Sequence, residues 1–319
     1  MLSIIIVNWN VRDALRACVA SLRAHPARRH PQRIIVVDNA STDGSVAMLR
    51  DEFPAVHVVS SAQNLGYGGG NNLGLAYAER LDSEAGQTTA DQAAYFLILN
   101  PDTEATPGAL DALLEYADAH PDAGVVGPQL RYADGAAQSS RRRFPTLATA
   151  LFESTWLQPL APRRLLDDYY VRDRRDDEIC DVDWLVGAAL LARREVYRQV
   201  GGFDDRSFFM YSEEIDWCRR VKQAGWRVVY HPQAVIVHHE GKSSAQVSAQ
   251  RMIYFNTSKV RYFAKHHGRA QAGALRLALL SLFAQQSLVE GAKWLVGHRR
   301  PLRAARLAAY RAVLRSGLR

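Results

Sequence analysis

The chain reads as an α/β protein: an open, mostly parallel sheet flanked by helices, followed by a helical C-terminal extension. Three observations predict this. Four short apolar runs rich in β-branched residues recur through the first hundred positions: SIIIV (3–7), RIIVVD (33–38), VHVVS (56–60) and YFLIL (95–99). Helix-period stretches separate and follow them, near 12–24, 43–51, 70–81 and 107–119. Beyond residue 250 the pattern stays helical to the end. Short apolar runs without alternation suit strands buried on both faces, and their succession with helices is the pattern of a parallel sheet.

The opening run, Leu2 to Val7, has no basic region before it and ends at Asn8, so it is expected to be a buried first strand and not a signal peptide. Ser41-Thr42-Asp43 suits a helix start, and Pro107 a first helical turn. Residues 82–93 read as a polar surface insertion, and 133–180 as long loops around one helix near 147–156. Residues 184–203 then read as strand, turn, helix and a glycine stop. Residues 213–225 read as a helix closed by Gly225, and WRVVYHP and AVIVH as two strands.

With 319 residues, 48% of them hydrophobic and 23% charged, the chain can bury a large core in one or two domains. The three cysteines, Cys18, Cys180 and Cys218, lack CxxC spacing, which argues against a disulfide framework and fits a reducing cytosol. Nowhere do 18 apolar residues run together, so no membrane-spanning helix is expected. The net charge of +7 conceals an asymmetry. Residues 241–319 carry 15 Lys and Arg against one acid, Glu290; the first 240 carry 25 against 32. A tail of +14 on a body of −7 suits an anionic membrane surface. A solvated helical face explains the same charges, as does nucleic acid, a partner the remaining motifs do not favour.

In open α/β sheets, ligands bind beyond the C-terminal strand ends. Polar residues stand at each of those positions: Asn8, Asp38, Asn64, Asn100 and Asp102. Asp102, in LNPDT, can offer a carboxylate to a hard cation, with Asn100 as a weaker oxygen donor. Its plainer reading is an Asx-Pro turn. Asp38, in VVDNASTDG, can hydrogen-bond a nucleobase or ribose, or serve the turn alone. NLGYGGGNN (64–72) opens a helix with Gly66, Gly68, Gly69 and Gly70, letting backbone approach an anion. Asn71 stands where the dinucleotide fingerprint needs its third glycine, and no GK[ST] occurs, so neither a Rossmann fingerprint nor a P-loop is present. Glu213, Glu214 and Asp216 begin a helix. One can act as a general base, while acids there also meet the helix dipole with Ser212 as cap. His238 and His239 follow a strand, and one imidazole can complete a metal site with Asp102.

The ordered series IIIVNWN, IIVVDNASTDGS, NLGYGGGNNLG, LILNPDT, WLVGAALLARREVYRQVGGFDDRSFFMYSEEIDWCRR, GWRVVYHP and VHHEGKSS resembles glycosyltransferase family 2, most closely its bacterial rhamnosyltransferase-like branch. The resemblance covers roughly residues 1–265. It implies a GT-A fold, a divalent metal (Mg²⁺ or Mn²⁺) and inversion at the anomeric carbon. It implies that Asp38 contacts the donor base, with Asn8 in the same pocket and the Asn64 loop, including Gly66 and Asn71, over the ribose and diphosphate. Asp102 matches the last acid of the family's DxD metal motif, whose first acid is here Asn100. Glu214 matches the catalytic base, Glu213 and Asp216 its flanking acids, and His238 a late metal-binding histidine.

The implied activity moves a sugar, rhamnose from dTDP-rhamnose favoured, from a nucleotide diphosphate donor to a lipid-linked or polysaccharide acceptor. The implied location is peripheral, on the cytoplasmic membrane face. The implied division is a catalytic domain over 1–245 (nucleotide-binding half 1–130, acceptor half 131–245) and a basic helical tail over 246–319. The competing readings are a polyprenyl-phosphate sugar synthase, a non-catalytic sugar-nucleotide-binding scaffold and another nucleotide-dependent enzyme. The missing GxGxxG disfavours the last.

Overall fold

The structure is a computed structural model, and it describes residues 1–84, 94–239 and 248–319. The first half alternates as expected: β1 (Leu2–Asn8), α1 (Arg12–Ala24), β2 (Gln32–Asn39), α2 (Ser45–Glu52), β3 (His57–Ser61), α3 (Gly66–Glu84) and β4 (Tyr95–Leu99). Next come β5 (Thr103–Ala105), α4 (Ala109–Ala119), β6 (Ala123–Arg131), β7 (Ala137–Gln138), β8 (Arg141–Arg142), α5 (Leu147–Phe152) and α6 (Arg163–Tyr169). The remainder is β9 (Cys180–Asp181), β10 (Trp184–Leu185), β11 (Ala189–Arg193), α7 (Arg194–Val200), α8 (Glu213–Gln223), β12 (Arg227–His238), α9 (Ser248–His266), α10 (Arg269–Leu295) and α11 (Arg300–Ser316).

Among the described residues, the main sheet runs β3-β2-β1-β4-β11-β6-β12-β5. Strands β3, β2, β1 and β4 are mutually parallel, β11 is antiparallel to both its neighbours, and β6 and β12 are parallel again. This is the mostly parallel GT-A-type sheet. Successive side chains of β1 enter opposite faces. Ile4 and Ile6 pack with Leu15 and Val19 of α1 and Leu114 of α4, while Ile5 packs with Leu75 and Ala78 of α3. Farther along that second face, Leu190 and Val125 meet Val196 of α7 and Trp217 and Val221 of α8.

Several elements differ from expectation for identifiable reasons. Strand β6 lies near the middle of the sheet yet carries Gly127 and Pro128, residues that weaken a strand pattern. Its partner β12 is one bulged strand where the sequence suggests two, and its register shifts between His231 and Val235, opposite Pro128. The irregular segment holds α6 besides α5, which starts at a Thr146–Thr149 capping box. Of the expected polar insertion, residues 85–93 lie outside the described residues. Asp82 is no surface residue: it is buried in ion pairs with Arg33 (2.7 Å) and Arg194 (3.1 Å).

The chain divides into two compact units. The first, residues 1–144, 167–206 and 213–243, contains the sheet. The second, residues 145–166, 207–212 and 244–319, is built from α5 and the three C-terminal helices. Within it Lys259 of α9 pairs with Glu153 at 2.9 Å, and Ser258 donates to the Met210 carbonyl at 2.8 Å. Helix α10 is long and apolar enough, by length and composition alone, to cross a membrane. Its interruptions at Arg276, Gln285 and Gln286 hide that average from a count of unbroken runs.

Candidate active site

The register of β1 against β2 places Asn8 beside Asp38 at the last pair of the two strands. Both side chains are buried, and Asn8 Nδ2 donates to Asp38 Oδ1 at 3.2 Å and to Ser41 Oγ at 3.0 Å. The Ser41 amide donates to Asp38 Oδ2 at 3.1 Å. The turns that follow are left-handed at Asn10 (φ 53°) and Ala40 (φ 61°). Non-glycine residues enter that region at a cost of about 1–2 kcal/mol each. The hydrogen bonds at Ser41 and from the Thr42 amide to Asn10 Oδ1 (2.7 Å) offset that cost. Asp38 is thus a rigidly held acceptor at the sheet's carboxyl edge.

Asn64 caps the turn into α3 by accepting from the Gly66 amide at 2.9 Å. Asn39 Nδ2 donates to the Gly66 carbonyl at 3.0 Å, tying that turn to the end of β2. The sequence suggests that the glycines open backbone to a ligand. They lie in the first turns of α3, and Gly70, like Gly74 beyond the motif, also serves packing. A Cβ on Gly70 would stand 2.6 Å from Val7 Cγ1, and one on Gly74 2.5 Å from Ile5 Cγ2. Their missing side chains let α3 lie directly on β1. Asn71 is buried and donates back to the Tyr67 carbonyl at 2.9 Å, so its amide nitrogen is committed within the helix.

The LNPDT segment turns tightly after β4. Thr103 Oγ1 donates to the Asn100 carbonyl at 2.7 Å, and the Asn100 amide donates to the Ala188 carbonyl at 2.9 Å. Strand β5 then pairs antiparallel with the end of β12, with Thr103 opposite His238. That pairing brings two residues 136 positions apart together: His238 Nε2 lies 3.4 Å from Asp102 Oδ1, and both are buried. His238 Nδ1 lies 2.7 Å from Gln138 Oε1. In the tautomer that donates from Nδ1 to Gln138 Oε1, Nε2 presents a lone pair toward the carboxylate. Two acceptors facing each other suit a cation between them, and a metal-ligating histidine commonly donates its other N–H in this way. Among the described residues no group of three His, Cys, Asp or Glu is placed to hold a metal. The donor set therefore fits an ion that takes two protein ligands and completes its shell with phosphate oxygens and water. His239 is occupied elsewhere, against Glu104 at 2.6 Å.

The three acids of α8 separate. Asp216 is fully buried and bound to Arg220 at 2.9 Å; Arg220 also donates to the carbonyls of Val200 and Gly202, both at 2.6 Å. This is a clamp between α8 and the end of α7. Glu213 is buried at the helix start. Glu214 has one buried carboxylate oxygen without a hydrogen-bond partner, and burial pushes its carboxyl up to about 7. Its Cβ lies 3.5 Å from where a Cβ on Gly187 would stand. Gly187 precedes Ala188, the residue that binds the Asn100 amide, so Glu214 reaches the same sheet end as Asp102. Ser212 does not cap the helix in the usual extended form: Tyr211 and Ser212 are left-handed (φ 69° and 68°).

Two contributors escape a reading of motifs. Tyr67 donates to the Gly187 carbonyl at 2.6 Å, and burial beside Glu214 raises its hydroxyl well above the usual range. An aromatic residue inside a glycine run is the signal that could have found it. Gln138 lies in a segment without recognisable pattern.

The Glycosyl transferase family 2 model matches residues 3–201, more than half of the chain. The chain belongs to glycosyltransferase family 2. This glycosyltransferase is 33% identical over 287 residues to the N-acetylglucosaminyl-diphospho-decaprenol L-rhamnosyltransferase of Mycobacterium tuberculosis, covering 90% of this chain and 92% of the relative. It is 25% identical over 266 residues to the rhamnosyltransferase WbbL of Escherichia coli, covering 83% and 93%. A mannosyltransferase from Pyrobaculum calidifontis, solved in complex with GDP-Man and Mn²⁺, shares the fold with a TM-score of 0.56 at 17% identity, covering 99% of this chain and 84% of that one.

Proposed function

We propose that this glycosyltransferase transfers a sugar with inversion, rhamnose from dTDP-rhamnose favoured, to an acceptor of the polyprenyl diphospho-N-acetylglucosamine class. One observation carries the reaction type: Glu214 holds one buried, unpartnered carboxylate oxygen at the sheet end that also bears Asp102 and His238. The likeness to two rhamnosyltransferases supports the sugar, and the relative's diphospho-decaprenol substrate supports the acceptor class.

In this reading Asp38, fixed by Asn8 and Ser41, binds the donor's base, and the Asn39–Asn64 turn orders the start of α3 beside the ribose. Asp102 and His238 would hold Mg²⁺ or Mn²⁺, which when bound would supply positive charge to the departing nucleotide diphosphate. Glu214 takes the proton of the acceptor hydroxyl. The acceptor oxygen forms its bond to the anomeric carbon on one face as the bond to the diphosphate breaks on the other. A carboxylate near 7 is matched to this task at neutral pH. Glu213 stands beside it as a supporting acid. The basic tail suits peripheral attachment to the cytoplasmic membrane face, where a lipid-linked acceptor resides.

The test is an assay of labelled dTDP-rhamnose with a short-chain polyprenyl diphospho-N-acetylglucosamine and Mg²⁺, with the product's anomeric configuration read by NMR. Transfer with inversion is expected. Retention of configuration would refute the role of Glu214, and transfer only from other nucleotide sugars would refute the rhamnose assignment.

A further inference from the structure

The α10–α11 hairpin is stapled below its tip. Glu290, the tail's one acid, is buried and accepts two bonds from Arg303, at 3.0 and 2.7 Å, with Arg306 at 3.5 Å. Arg276 farther down donates to the Gly317 carbonyl, and Phe283 meets Tyr310 with ring centroids 5.7 Å apart. These pairs run antiparallel and fix the two helices against each other. Leu275 and Leu279 anchor the N-terminal half of α10 in its own unit. That anchoring, with Arg276 committed mid-helix, suits a helix packed on protein along half its length more than one crossing a bilayer.

Past the staple, coverage ends. Residues 292–302 are all exposed. Leu288, Leu295 and Val296 are 76%, 70% and 80% exposed, and Trp294 and Leu302 about 40%. Lys293, Arg299 and Arg300 intersperse these apolar side chains, and no acid occurs from 291 to the last residue. Arg300 lies over the Trp294 ring, 5.3 Å from its centroid. Apolar side chains at a helix end, an indole and long cationic side chains at one level form the composition of a bilayer interface. There, rings sit among headgroups and Lys and Arg extend to phosphates.

We infer that the tip of the α10–α11 hairpin, residues 288–302, is a docking surface for an anionic lipid bilayer, with Trp294, Leu295 and Val296 entering the interface and Lys293, Arg299 and Arg300 facing lipid phosphates. The inference rests on the membrane-surface reading above and gives it a location. Charge selects this occupant over a second copy of the chain, because like tips exposing three cations, with their one acid, Glu290, buried against Arg303, repel each other.

The full chain is tested by co-sedimentation with phosphatidylcholine vesicles containing or lacking phosphatidylglycerol. The wild type is expected to bind the anionic vesicles and not the neutral ones. Arg299→Gln with Arg300→Gln should weaken binding about 30-fold, at roughly 1 kcal/mol per arginine. Leu295→Asp with Val296→Asp should abolish it. Both variants should keep wild-type transfer to a water-soluble N-acetylglucosaminyl diphosphate acceptor lacking the long chain. Vesicle binding unchanged in both variants overturns the inference, as does self-association that the aspartate variant alone removes. Failure of transfer by the wild type, with vesicle binding intact, counts against the proposed reaction and leaves the docking surface standing.

Discussion

Tyr67 Oη donates a 2.6 Å hydrogen bond to the carbonyl of Gly187, joining the first turn of α3 to the strand-entry segment that flanks Glu214. Tyr67→Phe leaves that carbonyl without its partner, at a cost of about 1–3 kcal/mol. The expected result is a lower melting temperature and a reduced kcat with nucleotide affinity unchanged. Gly187→Ala should be worse, since its Cβ would stand 2.7 Å from Tyr67 Oη. A Tyr67→Phe protein with full kcat would show that the Gly187 segment needs no such tether.

Glu214→Gln keeps the shape of the side chain and removes the base. Turnover should fall by about 10²–10⁴ while donor binding persists. The acid limb of the wild-type pH–rate profile should report a group near 7, with activity rising as pH increases through it. Stability runs the other way. A carboxyl held above its ordinary 4.5 favours the protonated native state, and that advantage is lost as pH rises through 7. Each tenfold change in proton affinity is worth roughly 1.4 kcal/mol, so the ionised group costs at most about 3 kcal/mol. Glu214→Gln should therefore melt higher than wild type at pH 8 and equally at pH 4. Equal melting at both pH values would mean that Glu214 is already solvated.

Asp216 offers the contrast. Asp216→Asn removes the charge that the partly exposed Arg220 guanidinium meets, while the carbonyls of Val200 and Gly202 keep their bonds to it, a loss of about 1.5–3 kcal/mol. Asp216→Asn should lower the denaturation midpoint strongly, while the protein that remains folded turns over at a near-normal rate. A stable Asp216→Asn protein without activity would place Asp216 among the catalytic acids.

These two acids also show what a linear sequence reveals. The β-branched runs and glycine stops mark β1 to β4 and α7 because period and turn chemistry are local properties. The residue order EEID places both acids at a helix start, but their roles diverge through Arg220, Val200 and Gly202, contacts made only on folding. The glycines of α3 are legible as a requirement for close approach. That Val7 and Ile5 of β1 approach Gly70 and Gly74 depends on the β1–α3 packing. Strand β6 is hidden from a sequence reading because Pro128 sits beside a bulge that excuses it.

The β5–β12 pairing makes a final expectation about the metal. Asp102 and His238 meet only because Thr103 and His238 are in register, so the pair is set by backbone and should persist when one side chain is changed. Calorimetric titration of dTDP into the wild type should show affinity that rises with Mn²⁺. Asp102→Ala and His238→Ala should each remove most of that increment while leaving metal-free affinity, which Asp38 and its neighbours supply, unchanged. Gln138→Leu takes away the acceptor for Nδ1–H and should weaken the Mn²⁺ increment by about 10–100-fold without touching either ligand. A wild-type dTDP affinity identical with and without Mn²⁺ would remove both residues from a metal role and leave their 3.4 Å approach an ordinary buried ion pair.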